Sequence, residues 1–98
     1  HGDLWEGNIL FNNTNFAGFI DPGSFYGHNE LEIAYLTWFN PIYIKNNFLD
    51  KYNEVIKIHK DYKSYEPVYQ LYYSLINVYL WDRNYIQDVK KLIDKIKI

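Results

Sequence analysis

The sequence predicts an α+β fold, mainly helical, with one small β-hairpin at about residues 9–20 followed by about four helices. Two observations predict this arrangement. Two short apolar runs, residues 9–11 and 16–20, flank the turn-forming residues 12–15 (Asn-Asn-Thr-Asn), which is typical of a hairpin. After residue 30, apolar residues recur at the three- and four-residue spacing that is typical of helices.

The first helix is predicted from Glu30 to Phe39, which is apolar on most sides, and Asn40-Pro41 ends it. A shorter amphipathic helix is predicted from about Asn46 to Ile56. Its apolar stripe consists of Phe48, Tyr52, Val55 and Ile56. The charged residues from Lys57 to Lys63, which include His59, then predict a solvated loop.

The third helix is predicted to begin at a Ser64 cap, with Pro67 in its first turn. From Val68 to Leu80 it is apolar almost all round, which predicts the central core helix. A final surface helix is predicted from Asn84 by one apolar stripe opposite a charged face. The stripe consists of Tyr85, Ile86, Val89, Leu92, Ile93 and Ile96.

Composition excludes several classes of protein. The chain has no cysteine, so neither a disulfide framework nor a thiolate zinc site can form, and a cytoplasmic location is expected. The formal net charge of −2 gives no basic field for nucleic acid, and no apolar run of about 18 residues indicates a membrane span. Nine lysines against one arginine, with many Asn, Ile and Tyr, suggest AT-rich codons and hence a bacterial source.

The first eight residues carry the main functional signal. They read H-x-D-x-x-x-x-N, from His1 to Asn8, which is the spacing that protein kinases use for a catalytic base and a metal ligand. A second acidic residue, Asp21, follows the apolar run that ends at Ile20, where kinases place a magnesium aspartate. The alternative is that Asp3 and Asn8 are only turn residues, since Asp and Asn favour turns.

The chemistry of phosphoryl transfer suits these residue types. Asp3 is the candidate base, because a carboxylate can orient an acceptor hydroxyl and accept its proton. Asn8 and Asp21 are candidate Mg²⁺ ligands, because Mg²⁺ prefers oxygen donors and shares its shell with nucleotide phosphates and water. The predicted hairpin would bring Asn8 and Asp21 together at its open end.

With this motif followed by Asp-Pro-Gly-Ser-Phe-Tyr-Gly-His-Asn-Glu (residues 21–30), the chain resembles the C-terminal lobe of the fructosamine kinase (ketosamine-3-kinase) family. The resemblance implies the protein-kinase-like fold of the aminoglycoside phosphotransferase and choline kinase group. It also implies a kinase that uses ATP and Mg²⁺ to phosphorylate a sugar hydroxyl of glycated amines or protein lysines, which repairs the adduct. Asp3 would be the base, and Asn8 and Asp21 the Mg²⁺ ligands.

The resemblance also assigns supporting roles. His1 is expected to brace the catalytic loop, and so is Glu32, although this family usually has aspartate there. Trp5 either packs under the loop or forms an aromatic wall for the substrate. His28 and Glu30 either contact the substrate or make local contacts at a helix start. Gly23 is a further departure, since the family more often has alanine at this position.

Residues 1–98 are expected to form a single partial domain, the C-terminal lobe without its N-terminal lobe. The sequence contains no glycine-rich phosphate loop, and it does not begin with methionine. The chain alone is therefore expected to be inactive, with the missing lobe as its partner. Two alternatives stay open: a kinase of the same fold that acts on an aminoglycoside, choline or a sugar, and a non-catalytic helical module that self-associates, for example as a homodimer through exposed apolar surface.

Overall fold

The chain begins with a loop that ends in one 3-10 turn, Glu6–Asn8, and continues directly into a two-stranded antiparallel hairpin. This computed structural model describes residues 1–40, 44–45 and 47–96. The strands are β1 (Ile9–Asn12) and β2 (Asn15–Phe19). Between them, Asn13 adopts a left-handed φ of 57°, which asparagine tolerates better than most residues. The predicted hairpin is thus confirmed.

The hairpin's register brings its two ends together beside the opening loop. Ile9 pairs with Phe19, and the register shifts after Leu10, which pairs with Gly18, so that Ala17 has no direct partner in β1. Beyond the strands, the Ile20 N–H donates to the Asn8 carbonyl at 3.0 Å. The residues that follow this last bond therefore emerge next to the 3-10 turn.

Four helices complete the described chain: α1 (Asn29–Phe39), α2 (Phe48–Val55), α3 (Tyr62–Leu80) and α4 (Ile86–Lys95), with a 3-10 turn at Arg83–Tyr85. Helix α3 packs against both α1 and α4, so its predicted central position is confirmed. Burial of apolar side chains between these helices is the main force that holds them together. The buried apolar residues are Ile33, Ala34, Tyr35, Leu36, Tyr62, Tyr73 and Leu92.

Helix α1 ends where the sequence predicts. Asn40 adopts a left-handed φ of 47°, and its N–H donates to the Leu36 carbonyl at 2.8 Å. This conformation closes the helix as a left-handed C-terminal residue commonly does. Pro41, the second half of the predicted stop signal, lies outside the described residues.

Helix α3 begins earlier than predicted. The Tyr62 N–H already donates to the His59 carbonyl at 3.0 Å, and the Ser64 N–H donates to Asp61 at 2.9 Å. Ser64 is therefore not the cap, and its hydroxyl donates to the Asp61 carbonyl at 2.7 Å. Pro67 consequently lies inside the helix rather than in its first turn. The helix begins before Ser64 because the carbonyl groups of His59 and Asp61 already accept backbone hydrogen bonds from Tyr62 and Ser64.

Two apolar stripes are less buried than their sequence pattern suggests. Helix α2 is shorter than predicted, because the chain becomes extended at Ile56. Val55 and Ile56 are both exposed. Asn46, the predicted first residue of this helix, lies outside the described residues. On α3, a stripe at helical spacing is at least two-fifths exposed. It consists of Val68, Tyr72, Leu75 and Tyr79.

Candidate active site

The opening loop and the segment after β2 touch through their backbones at Gly2. Gly2 has a φ of +86°, a conformation that side chains rarely adopt. A methyl group on Gly2 would lie 2.4 Å from the Gly23 carbonyl oxygen, so no side chain fits there. Glycine at this position therefore lets residues 1–8 lie directly against residues 21–23, which carry the second acidic candidate.

The Asp3 carboxylate is held by two hydrogen bonds, one to each oxygen. The Tyr35 hydroxyl donates to Oδ1 at 3.1 Å, and the Asn8 side-chain amide donates to Oδ2 at 3.2 Å. An ionised carboxylate has about four lone-pair sites, so each oxygen keeps the capacity to accept another proton or hydrogen bond. Asp3 is thus fixed in orientation while remaining available to a substrate.

The Asn8 side chain uses its nitrogen to hold the loop. This residue is only 5% exposed. Its Nδ2 also donates to the Asp3 carbonyl at 2.9 Å and lies 3.4 Å from the Asp21 carbonyl. Among the described residues, no hydrogen bond to its Oδ1 is present, and no fully buried side-chain nitrogen or oxygen lacks a partner. The carbonyl oxygen Oδ1 is therefore accessible from the cleft.

Asp21 lies beside Asn8 at the open end of the hairpin. It adopts a left-handed φ of 48°, which aspartate tolerates better than most side chains, and it is exposed. Its backbone carbonyl faces the Asn8 amide. The hairpin therefore brings Asn8 and Asp21 together through the Asn8 side-chain nitrogen and the Asp21 backbone carbonyl, and both residues line the same cleft.

His1 links the opening loop to the end of the hairpin. Its Nδ1 accepts the Asp3 N–H at 3.2 Å, so its Nε2 carries the proton and donates to the Ile20 carbonyl at 2.9 Å. The ring also lies edge-on to Phe19, with centroids 5.7 Å apart. Both ring nitrogens are thus engaged with backbone groups on the two sides of the site.

Glu32 links the same loop to helix α1. Its Oε1 accepts the Gly2 N–H at 3.0 Å, and its Oε2 accepts a hydrogen bond from the backbone nitrogen of His1, also at 3.0 Å. Charge-assisted hydrogen bonds of this kind are stronger than neutral ones. The longer glutamate side chain thus reaches both nitrogens of the loop.

These groups lie at an open cleft of about 530 Å³. Its lining combines Asp3, Asn8 and Asp21 with a carboxylate from the α3–α4 connection, Asp82, and with aromatic rings. The remaining lining residues are Trp5, Tyr35, Phe39, Asn77, Trp81 and Tyr85. Within the described ranges, no lysine, arginine or histidine lines this cleft. The described wall is therefore acidic and aromatic.

The sequence pattern missed six of the ten described residues that line the cleft, one of which is Asn77. Phe39 and Tyr35 read as core positions of α1, and Trp81, Asp82 and Tyr85 read as the end of one helix and the start of the next. Trp81 is 78% exposed, which apolar periodicity alone does not reveal. A short polar interruption, residues 82–84, between two apolar helices was the available signal.

His28 and Glu30 do not line this cleft. Glu30 is 1% exposed; it accepts the His59 N–H at 2.6 Å and a short hydrogen bond from the Tyr65 hydroxyl. Nδ1 of His28 lies 2.9 Å from the Tyr69 hydroxyl and 3.6 Å from Glu30 Oε2. The structure therefore gives both residues local contacts between the start of α1 and α3, and does not bring them together with Asp3.

The Glu30 carboxylate is buried and yet ionised. Burial by itself raises the pKa of Glu30, but hydrogen bonds from the Tyr65 hydroxyl and the His59 N–H, with the nearby His28 and His59, lower it below its ordinary value. The same hydrogen bond to Glu30, with burial second, raises the pKa of Tyr65 to about 12. The pair is thus one coupled contact between α1 and α3.

Two features are absent from the described residues, a cluster of metal-binding side chains and a membrane-spanning helix. No group of three or more His, Cys, Asp or Glu side chains within residues 1–40, 44–45 and 47–96 is arranged to hold a metal ion. Over the same part of the chain, no helix has the length and apolar character needed to cross a bilayer.

Comparison with known proteins identifies the family. The profile of the family described as Fructosamine kinase matches residues 1–98. A protein named "Probable ketoamine kinase" from Enterococcus faecium is 35% identical over 94 residues, and one of the same name from Lactiplantibacillus plantarum is 34% identical over 93. A chloroplastic protein-ribulosamine 3-kinase of Arabidopsis thaliana is 31% identical over 94. The chain therefore belongs to the fructosamine kinase family.

These matches cover nearly all of this chain but a small part of each relative. The match to the Enterococcus faecium protein covers 96% of this chain and 33% of that relative. The corresponding shares are 95% and 32% for the Lactiplantibacillus plantarum protein, and 96% and 28% for the Arabidopsis thaliana protein. The chain thus spans about a third of the length of the curated relatives that it matches. No solved structure matches it.

Proposed function

We propose that the complete protein is an ATP-dependent kinase that phosphorylates a sugar hydroxyl of a ketosamine, the adduct of a sugar with an amine or a protein lysine. The observation that carries this proposal is the meeting, in one cleft, of the doubly held Asp3 carboxylate with the oxygen donors of Asn8 and Asp21. Membership of the fructosamine kinase family supports the acceptor class, as do relatives named ketoamine kinase and protein-ribulosamine 3-kinase.

In the proposed reaction Asp3 is the base. It accepts the proton of the acceptor hydroxyl while that oxygen bonds to the γ-phosphorus and the bond to the β–γ bridging oxygen breaks, releasing ADP. Little covalent help is needed, so orientation of the hydroxyl is the main contribution of the carboxylate. Phosphorylation of the adduct would begin its removal, which is the repair reaction that the family resemblance implies.

Asn8 and Asp21 fit a magnesium ion. Mg²⁺ takes hard oxygen ligands and is commonly held by one or two side chains plus nucleotide phosphates and water, so no cluster of three acidic residues is required. Because the Asn8 nitrogen is engaged with the loop, its Oδ1 is the atom left for a ligand role. When bound, Mg²⁺ neutralises charge on the phosphoryl oxygens.

We also propose that residues 1–98 are the C-terminal lobe of the kinase. ATP would then lie between this lobe and an N-terminal lobe, corresponding to the part of the relatives that this chain does not match. The 98 residues contain no glycine-rich phosphate loop, so we expect them alone not to turn over ATP. The lack of cysteine suits a reducing compartment, and the cytoplasm is the proposed location.

An acceptor panel tests the function. The complete protein is incubated with ATP and Mg²⁺, and with either a glycated lysine, the same lysine unglycated, choline, an aminoglycoside or a free sugar. We expect ADP release and a new phosphomonoester signal in ³¹P NMR with the glycated lysine only. Turnover only on choline, an aminoglycoside or a sugar contradicts the acceptor class. Absence of turnover on every acceptor contradicts the kinase proposal itself.

A further inference from the structure

Tyr35 is a buried residue whose polar atom points at the proposed base. Its side chain is part of α1 and only 5% exposed, yet its hydroxyl donates to Asp3 Oδ1 at 3.1 Å across 32 residues of sequence. The ring is fixed by neighbouring rings of Phe39 and Tyr73, with centroids 5.6 and 4.8 Å away. Because the ring is packed on these sides, its hydroxyl cannot move far from the carboxylate.

One hydrogen bond does not fix a carboxylate. The last torsion of an aspartate side chain is broad, so a carboxylate held at one oxygen can still turn about its Cβ–Cγ bond. The Asn8 amide holds Oδ2, and Tyr35 holds Oδ1. Two donors on two different oxygens set the plane of the Asp3 carboxylate, and with it the directions of the remaining lone pairs.

Two side chains of helix α1 contact two adjacent residues of the catalytic loop, Gly2 and Asp3. Glu32 and Tyr35 are three positions apart and therefore lie on one face of the helix. Glu32 accepts the Gly2 N–H, and Tyr35 donates to the side chain of the next residue, Asp3. The first contact fixes the loop backbone, and the second fixes the reactive group on it.

We infer that Tyr35 is a positioning residue for phosphoryl transfer, which acts by fixing the Asp3 carboxylate toward the acceptor hydroxyl. This inference rests on the proposed function, in which Asp3 is the base. It assigns a role to a tyrosine that the sequence motif does not include. A positioning role affects the chemical step more than substrate binding, so it predicts a fall in kcat at nearly constant KM.

The test compares two single-atom deletions in the complete protein. Tyr35→Phe removes the hydroxyl on Asp3, whereas Tyr62→Phe removes the hydroxyl of another buried tyrosine, which donates to Glu66 Oε1 at 3.1 Å and lies outside the cleft lining. We expect Tyr35→Phe to lower kcat roughly tenfold, the lower end of the range for lost supporting contacts, with the KM for ATP and acceptor unchanged. Tyr62→Phe keeps the wild-type kcat. Equal effects of the two variants, or no effect of Tyr35→Phe, overturn the inference.

A stability cycle tests the contact separately from the reaction. The Tm values of Tyr35→Phe, Asp3→Ala and the double variant are compared, and we expect a smaller loss in the double variant than the sum of the single losses. If the Tm loss of the double variant equals the sum of the two single losses, Tyr35 and Asp3 do not interact directly and the inference is overturned. If the wild type turns over choline or an aminoglycoside instead, the acceptor class fails and the kcat comparison is made on that acceptor. A wild type inactive on every acceptor overturns both proposals.

Discussion

A methyl group on Gly2 would lie 2.4 Å from the carbonyl oxygen of Gly23, whereas the reverse substitution has room. A methyl group on Gly23 would meet Asp3 Cβ at 3.5 Å, an ordinary van der Waals distance. The contact between the two loops therefore leaves no room for a side chain at Gly2 but has room for a methyl group at Gly23. This asymmetry explains how alanine, the residue that the family resemblance gives for position 23, fits the same geometry.

The first prediction compares these two glycines. Gly2→Ala must adopt a left-handed φ and displace a backbone carbonyl, so we expect a loss of unfolding free energy of about 1–3 kcal/mol. Gly23→Ala is expected to be neutral, or to stabilise by up to about 1 kcal/mol by restricting the unfolded chain. Urea unfolding of the complete protein measures both. Equal losses in the two variants contradict this account of the loop contact.

The second prediction concerns the length of Glu32. Shortening it in Glu32→Asp withdraws the carboxylate by one methylene, so it cannot keep both 3.0 Å contacts to the loop. We expect a loss of about 1 kcal/mol, the typical worth of one hydrogen bond, and a lower kcat. Glu54→Asp is the matched control, since the contact that Glu54 makes within the described residues is an exposed ion pair with Lys51, and such pairs contribute little. Wild-type stability and kcat in Glu32→Asp contradict the prediction.

The third prediction concerns the acid limb of stability. The pKa of Glu30 is lowered in the folded state, so its carboxylate contributes fully above the ordinary pKa of 4.5, and the contribution is lost as pH falls through the folded-state pKa. The difference in unfolding free energy between the wild type and Glu30→Gln is therefore expected to shrink as the pH falls from 5 to below 4.5. Urea unfolding across this range measures it, and a difference that grows on acidification contradicts the assignment.

The fourth prediction concerns the alkaline limb of the same contact. The pKa of Tyr65 is raised to about 12 from its ordinary 10.0, so its contribution is full below pH 10 and is lost as pH rises through 12. Tyr65→Phe has no such group, and we expect its stability to fall less steeply than that of the wild type between these values. Identical alkaline slopes for the two proteins contradict a hydrogen bond from Tyr65 to Glu30.

The fifth prediction decides between the two interpretations of Trp5. Its ring covers Gly7, where a methyl group would lie 2.2 Å from Cη2, so Gly7→Ala forces the ring away from its place in the cleft wall. If Trp5 is a wall for the substrate, the KM for the acceptor rises several-fold while Tm changes little. Gly18→Ala is the control, since nothing lies within 4 Å of a methyl group there. A lower Tm with an unchanged KM instead supports the packing interpretation.

The fold was largely predictable from the sequence because its signals are local. The Asn-rich turn defines the hairpin, and apolar periodicity defines the order of the four helices. The boundaries were less predictable, since the start of α3 depends on backbone hydrogen bonds at residues 59–61 rather than on the Ser64 side chain.

The arrangement of the candidate site was predictable only for the residues that the motif names. The spacing singles out Asp3, Asn8 and Asp21, and the hairpin brings them together. Tyr35 reads as one more apolar position of a helix, because its contact to Asp3 spans 32 residues. For Glu30 the sequence predicts either a substrate contact or a local contact at a helix start. Its burial could not be predicted, because it depends on His59 and Tyr65, which are distant in sequence.

The most direct test of the central claim is the rate of phosphoryl transfer in Asp3→Asn of the complete protein, measured with ATP, Mg²⁺ and a glycated lysine. Asp94→Asn, an exposed position on α4, is the control. We predict that Asp3→Asn lowers kcat by about 10²–10⁴-fold, the usual contribution of a general base, and that Asp94→Asn matches the wild type. Wild-type turnover by a folded Asp3→Asn variant, with an unchanged Tm, would contradict the claim that this cleft is the phosphoryl-transfer site with Asp3 as its base.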